Sequence, residues 1–148
     1  MADITSFRGE HAFLSNFQAV EIVYEGKPYP TVEHAFQAAK TLDPGERETV
    51  RLAKTPTLAK RLGRRVTLRR DWETVKVAVM RELLRLKFQQ PALRERLLAT
   101  GETRLIEGNK WNDRTWGCVW VKTQWVGRNL LGQLLMEVRT EVRALSDA

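Results

Sequence analysis

Apolar positions recur along this chain at two different spacings, and the change from one to the other maps its elements. Near the N-terminus, Leu14, Phe17, Val20, Ile22 and Tyr24 lead to a turn-like Glu25-Gly26 and then to Pro28-Tyr29-Pro30. Short apolar spacing broken by turn residues predicts one or two short strands joined as a hairpin. Helical spacing follows. Thr31 is placed to cap a helix running to about Leu42, which Asp43-Pro44-Gly45 stops, and a second helix is predicted over 46–54. Thr55-Pro56 supplies a cap and a first-turn proline for a short helix that Gly63 is placed to end.

A basic connection over 64–70 leads to Asp71, which can cap the longest middle helix. Trp72, Val75, Val79, Leu83 and Leu86 recur there at helical spacing and predict a core stripe. Residues 91–100 predict another helix, ended by Gly101. The β-branched and apolar residues of 103–108 predict a strand, a polar loop follows to Trp116, and 119–122 predicts its partner strand. In the last helix, from Asn129 to about Leu145, Leu130, Leu134, Val138 and Val142 lie four apart while Leu131 and Leu135 widen the apolar face. With no repeat, linker or low-complexity tract, these elements predict a compact, mostly helical α+β fold forming a single domain over 1–148.

Composition narrows the class. A chain of 148 residues is long enough for one buried core. No run approaches the roughly 20 apolar residues of a membrane-spanning helix, and residues 1–8 resemble no secretory leader. The cytoplasm is the expected compartment, and no membrane partner is expected. His11, His34 and the lone Cys118 are too few for a metal centre, so neither metal nor other cofactor is expected. With 25 Lys+Arg against 18 Asp+Glu the formal charge is +7, which draws a protein toward phosphates, nucleotides or nucleic acid. Many of these bases sit beside acids, as in Arg94-Glu95-Arg96, and read equally as solvated helix faces.

Polar residues set among apolar ones carry the candidate chemistry, because burying them costs stability unless they are paired or used. In Phe13-Leu14-Ser15-Asn16-Phe17 a hydroxyl and an amide lie between aromatics, suited to reading a sugar or base beside a stacking ring. A loop in which Asn16 bonds its own backbone is the competing reading. On the predicted helix Glu33, Gln37 and Lys40 fall at i, i+4 and i+7 and share one face, with Phe36 beside them. A ligand-facing row and an exposed polar stripe fit that spacing equally. In Leu105-Ile106-Glu107-Gly108, followed by Asp113, Trp116 and Gly117, acids leave a strand and precede an aromatic plate, a pattern that suits a pocket wall or simply turn chemistry.

Taken in order, these clusters resemble the family called YbiA-like or NADAR, named for its association with NAD and ADP-ribose metabolism. The likeness runs from Phe13-Leu14-Ser15-Asn16-Phe17 through the 30–40 segment, the 59–64 segment, Trp72, Met80, Lys87-Phe88, Thr100-Gly101, Leu105-Ile106-Glu107, Asp113, Trp116-Gly117 and Gly127-Arg128-Asn129-Leu130-Leu131-Gly132 to Leu135-Met136 and Arg139, about nine tenths of the chain. The region 118–126 is less typical, carrying Trp120 and Trp125 where the family has a variable, often glycine-containing loop.

This resemblance implies a helical α+β fold and N-glycosidase activity on a phosphorylated ribose joined to a base. Some relatives hydrolyse phosphoribosylaminopyrimidine intermediates of riboflavin synthesis, and others remove ADP-ribose from guanine in DNA or RNA. Glu33 and Asp113 are then the candidates for stabilising a ribosyl cation or activating water. Lys40 is the candidate for a Schiff base with an opened ribose, with Lys87 in reserve. Phe17 and Trp116 would flank the base, and Ser15, Asn16 and Gln37 would bond sugar or base. Arg8 or Arg64 would meet phosphate, while Phe36, Glu107 and Gly117 would complete the binding surface. The rival readings are a non-catalytic ADP-ribose binding module and a nucleic-acid-binding protein, and oligomeric state is open.

Overall fold

The computed structural model describes residues 2–147, and its contacts divide the chain into two compact units. One unit is formed by 16–87, the other by the N-terminal segment to Ser15 together with everything from Phe88 onward.

The 16–87 unit opens with β1 (Ile22–Tyr24) and β2 (Lys27–Tyr29), antiparallel with Tyr24 opposite Lys27. The two-residue turn between them works because both Glu25 (φ 49°) and Gly26 (φ 82°) adopt the left-handed backbone that matches the twist of a tight hairpin. Alternation puts Tyr24 and Tyr29 inward, ring centroids 6.4 Å apart, and leaves Val23 and Pro28 outside.

Helix α1 (Val32–Ala39) is capped as predicted, Thr31 Oγ1 accepting from the His34 amide at 3.1 Å. It ends three residues before the predicted Leu42. Every residue of α1 is buried, for it packs against α2 (Pro44–Arg51), α3 (Pro56–Gly63) and α4 (Trp72–Lys87). The Asp43-Pro44-Gly45 tripeptide, read as a stop, also starts α2: Asp43 accepts from the Gly45 amide and Pro44 takes the first helical position. His34 is a core residue. The Ala53 carbonyl can only accept, so Nε2 carries the hydrogen it meets at 2.9 Å, and the Thr31 hydroxyl donates to Nδ1 at 2.7 Å. Of the α4 stripe, Trp72, Val79 and Leu83 are buried and Val75 and Leu86 half-buried.

In the second unit a 3-10 helix (Gly9–Leu14), absent from the sequence reading, buries Phe13 and Leu14. Arg96 of α5 (Pro91–Ala99) lies over the Phe13 ring, 4.3 Å from its centroid. Residues 103–108, predicted as a strand, form none. They make only isolated parallel bridges, Ile4 with Leu105 and Gly108 with Cys118. The predicted 119–122 partner instead becomes β3 (Val119–Val121), paired antiparallel with β4 (Gln124–Val126). A sequence-adjacent hairpin needs only a two-residue turn, which Lys122 enters at φ 56°, whereas pairing with 103–108 would have to close a longer loop.

Helix α6 (Leu130–Ser146) buries Leu131, Leu134, Leu135, Val138 and Val142. Its Arg139 is buried too, donating from Nη1 to the Thr103 carbonyl at 2.7 Å and the Thr100 hydroxyl at 2.9 Å. No helix is long and apolar enough to cross a membrane among the described residues.

Candidate active site

In the 16–87 unit, helical periodicity alone puts Glu33, Gln37 and Lys40 on one face, and packing on the other elements decides whether that face meets water. It is buried: Glu33 is 6% exposed and Gln37 5%. Gln37 Nε2 donates to Glu33 Oε1 at 3.1 Å, which turns the amide oxygen the other way. Gln37 Oε1 is buried and has no hydrogen-bond partner among the described residues. Asn16 Oδ1 is in the same condition. Its amide reaches only the Met80 sulfur at 3.7 Å, and its backbone carbonyl accepts from the Glu33 amide at 3.1 Å. Buried acceptors are almost always satisfied. An unsatisfied oxygen on Gln37, whose amide nitrogen bonds the Glu33 carboxyl, and another on Asn16, whose backbone carbonyl meets the Glu33 amide, are suited to the N–H or O–H groups of a ligand.

The sequence suggests Gly63 as a helix stop. It is the last residue of α3, but its backbone is not left-handed, and the demand for glycine comes from elsewhere. A methyl group there would overlap Gln37 Oε1 and come within 2.7 Å of its Cδ. Gly63 lets α3 approach α1 closely enough to enclose the Gln37 amide, and Ala35, Ala38 and Ala39, all fully buried, keep α1 itself thin.

Lys40 caps the end of α1, half-buried, with no hydrogen-bond partner for its ammonium among the described residues. Burial pushes its pKa below the usual lysine value; the Glu33 carboxylate opposes that shift, and Arg64 and Lys60 reinforce it. These two cations stand where they would also meet an anionic group brought to Lys40. Lys87, at the end of α4, is 1% exposed, and burial lowers its pKa to about 7. Phe36 packs on Trp72 at 5.0 Å between centroids and is buried, so it belongs to the packing that holds α1. Phe17 is 41% exposed, and Arg64 is exposed at the end of α3.

The second unit assembles the other cluster on a hub that sequence reading missed. Asn109 is buried, and its Nδ2 donates to Glu107 Oε2 (3.1 Å) and to the Asp113 (2.9 Å) and Cys118 (3.2 Å) carbonyls, while its Oδ1 accepts from the Asp113 amide at 3.0 Å. Asp113 Oδ1 in turn accepts from the amides of Thr115 (3.0 Å) and Trp116 (2.9 Å). Gly117 must lack a side chain, since a Cβ there would overlap the Glu107 carboxyl and backbone oxygens.

This loop is fastened to α6. The amides of Asn129, Leu130 and Leu131, at the helix start where no intrahelical partner exists, donate to the carbonyls of Gly117, Thr115 and Trp116. Asn129, left-handed at φ 53°, gives its side chain to the backbone instead, accepting from the Glu107 amide at 3.0 Å and donating to the Leu105 carbonyl at 2.9 Å. An asparagine before a helix looks in sequence like an ordinary cap, and nothing local separates Asn109 from a turn residue. Arg8 is exposed and Ser15 half-buried in this same unit, the Ser15 amide donating to the Ala12 carbonyl.

The geometry can be set beside known proteins. The N-glycosidase YbiA of Escherichia coli (strain K12) is 45% identical over 136 residues, which cover 90% of this chain and 82% of that protein. A riboflavin biosynthesis protein of Vibrio vulnificus (strain YJ016) is 40% identical over 90% of this chain, which spans only 36% of that longer protein. The NMR structure of the E. coli protein YbiA matches with a TM-score of 0.84 and 42% identity, over 99% of this chain and 89% of that one. The family model for the NADAR domain matches residues 5–143, and the chain belongs to the NADAR domain family.

Proposed function

We propose that this protein is an N-glycosidase hydrolysing the C–N bond between a phosphorylated ribose and a base nitrogen, with α1 supplying the reactive groups. The observation that carries this reading is the row formed by buried Glu33 and Gln37 with half-buried Lys40 at its end, a carboxyl, an unsatisfied amide oxygen and an amine whose pKa burial lowers. Its membership of the NADAR family, whose E. coli relative is named an N-glycosidase, supports it.

Cleavage puts positive charge on the anomeric carbon and electrons on the departing nitrogen. Glu33 stands as the anion for the first, worth most in a site sheltered from water. In direct hydrolysis, water gives its hydroxyl to the anomeric carbon and its proton to the base nitrogen. In the covalent route the neutral Lys40 amine bonds to the anomeric carbon as the base leaves with a proton; the ribosylamine then opens its ring, the ring oxygen taking the remaining amine proton, to give a Schiff base that water hydrolyses to the free sugar and the Lys40 amine. The lowered Lys40 pKa increases the neutral amine that route needs. Gln37 and Asn16 accept from hydroxyl or amino groups of the substrate, and Arg64 meets its phosphate. Asp113 has one oxygen committed to two amides, which favours positioning the Trp116 turn over direct chemistry.

Two substrates share the required linkage: ADP-ribose on guanine in a nucleic acid, and a phosphoribosylaminopyrimidine intermediate of riboflavin synthesis. Chromatography of products from each, with wild type and Glu33→Gln, tests the proposal. Release of free base by wild type, reduced at least about 100-fold in the variant, is expected, a loss equivalent to about 2.7 kcal/mol. Wild type that leaves both intact while binding ADP-ribose would make the chain a binding module.

A further inference from the structure

The β3–β4 hairpin carries two tryptophans that the N-glycosidase reading does not use. Trp120 and Trp125 are cross-strand partners, their ring centroids 5.1 Å apart at 67°. The Trp125 ring lies down on Gly108: a Cβ there would come within 2.7 Å of its Cη2. Trp120 meets this anchored ring edge-on and stays 57% exposed. An exposed indole so braced is a stacking platform whose orientation is set before any ligand arrives.

Its surroundings are cationic. Lys110, Arg114, Lys122 and Arg128 are all exposed, and among the described residues none is in an ion pair. The only acid in the 110–128 segment is Asp113, half-buried with Oδ1 turned onto two amides. The Arg128 amide donates to the Arg114 carbonyl at 2.7 Å, so the hairpin's exit and the 110–116 loop run side by side. One exposed aromatic face in a segment of unneutralised cations is a poor seat for a second copy of this chain, which needs roughly 800 Å² of largely apolar surface per partner. It has what a single strand needs: charge for the phosphates and a ring for an unstacked base.

We propose that the β3–β4 hairpin docks single-stranded nucleic acid, an unpaired base stacking on Trp120 while Lys122 and Arg128 meet the flanking phosphates. The platform adjoins the Glu107 cluster through Gly108. The inference rests on the N-glycosidase reading only for what the strand delivers, and it selects the nucleic-acid branch of that reading.

Fluorescence anisotropy of an unmodified, labelled single-stranded oligonucleotide tests it without any cleavage. Wild type binds the strand more tightly than the duplex of the same sequence, and Trp120→Ala weakens strand binding by about 5- to 150-fold, the range for loss of one stacked base. Trp120→Phe recovers most of that affinity, which separates loss of the ring from loss of the fold. Replacing both Lys122 and Arg128 by Ala lowers the slope of log affinity on log salt by about 1.4, about 0.7 for each single-strand phosphate no longer neutralised. Equal strand binding by wild type and Trp120→Ala, no strand binding by wild type, or a Trp120-dependent dimer in sedimentation overturns the proposal. Strand binding by a protein that cleaves neither ribosyl substrate would sink the enzyme reading and leave this surface standing. Cleavage without strand binding does the reverse.

Discussion

Adding one methyl group to Gly63 displaces Gln37 and uncouples it from Glu33. The new Cβ overlaps Gln37 Oε1 and sits 2.7 Å from Cδ and 3.0 Å from Cβ, so rotating the amide tip alone does not clear it. Gln37 has nowhere to go in a helix buried on every side. Overpacking of this kind costs about 1–3 kcal/mol, and the lost Gln37–Glu33 hydrogen bond adds about 0.5–1.5 kcal/mol. The helix preference of alanine over glycine returns at most about 1 kcal/mol, less at a helix end. A net loss of about 2 kcal/mol follows, read in urea unfolding as a midpoint lowered by about 1 M for slopes of about 1–3 kcal/mol/M. The deciding measurement is the cycle with Gln37→Ala: the shorter side chain vacates the space the methyl needs, so the double variant is more stable than the two single losses predict, by about 1–2 kcal/mol. Strict additivity, or a Gly63→Ala protein within about 0.5 kcal/mol of wild type, would refute the idea that this glycine exists to enclose the amide.

Lys87 gives the protein a stability that rises with pH. Its folded pKa of about 7 lies below the unfolded 10.5, so between these values the unfolded chain holds the extra proton and stability climbs, by up to about 1.4 kcal/mol per pH unit. Urea unfolding at several pH values from 6.5 to 8 is expected to show a steep rise for wild type and a shallower one for Lys87→Met, which keeps the contribution of Lys40 in the same direction; parallel curves would show that burial does not depress this amine. Asn129→Asp removes one donor while keeping the Glu107 contact and a residue tolerant of the left-handed backbone, leaving the buried Leu105 carbonyl unpaired. It should cost about 1–3 kcal/mol in thermal or urea unfolding, with the Glu107 amide still protected from hydrogen exchange; an unchanged stability, or early exchange at Glu107, contradicts the bonding described.

Features that act within a few residues are legible in the sequence. The Glu25-Gly26 hairpin turn, the Thr31 and Thr55 caps, the prolines at first helical positions and the spacing of the α4 and α6 stripes are of this kind, because backbone preference and side-chain chemistry decide them locally. The boundary between α1 and α2 is less legible, because Asp43-Pro44-Gly45 serves as a start as readily as a stop. The 103–108 segment departs from its predicted strand for a different reason: β-branched composition promises a strand only if a partner is in reach, and residues 119–121 pair with their own hairpin mate.

The candidate residues are visible in the sequence as types and spacings, but their environment is not. Periodicity puts Glu33, Gln37 and Lys40 on one face and leaves buried row and exposed stripe equally open, because nothing within one helix reports what packs on it. Three other helices close over α1, and a glycine 26 positions beyond Gln37 admits one of them. Asn109 and Asn129 likewise take their roles from carbonyls and amides up to 24 residues away. Capping and turn chemistry are settled by neighbours along the chain; desolvation, orphaned acceptors and a depressed amine pKa depend on atoms that only tertiary packing brings close, and those are the properties from which the proposed chemistry follows.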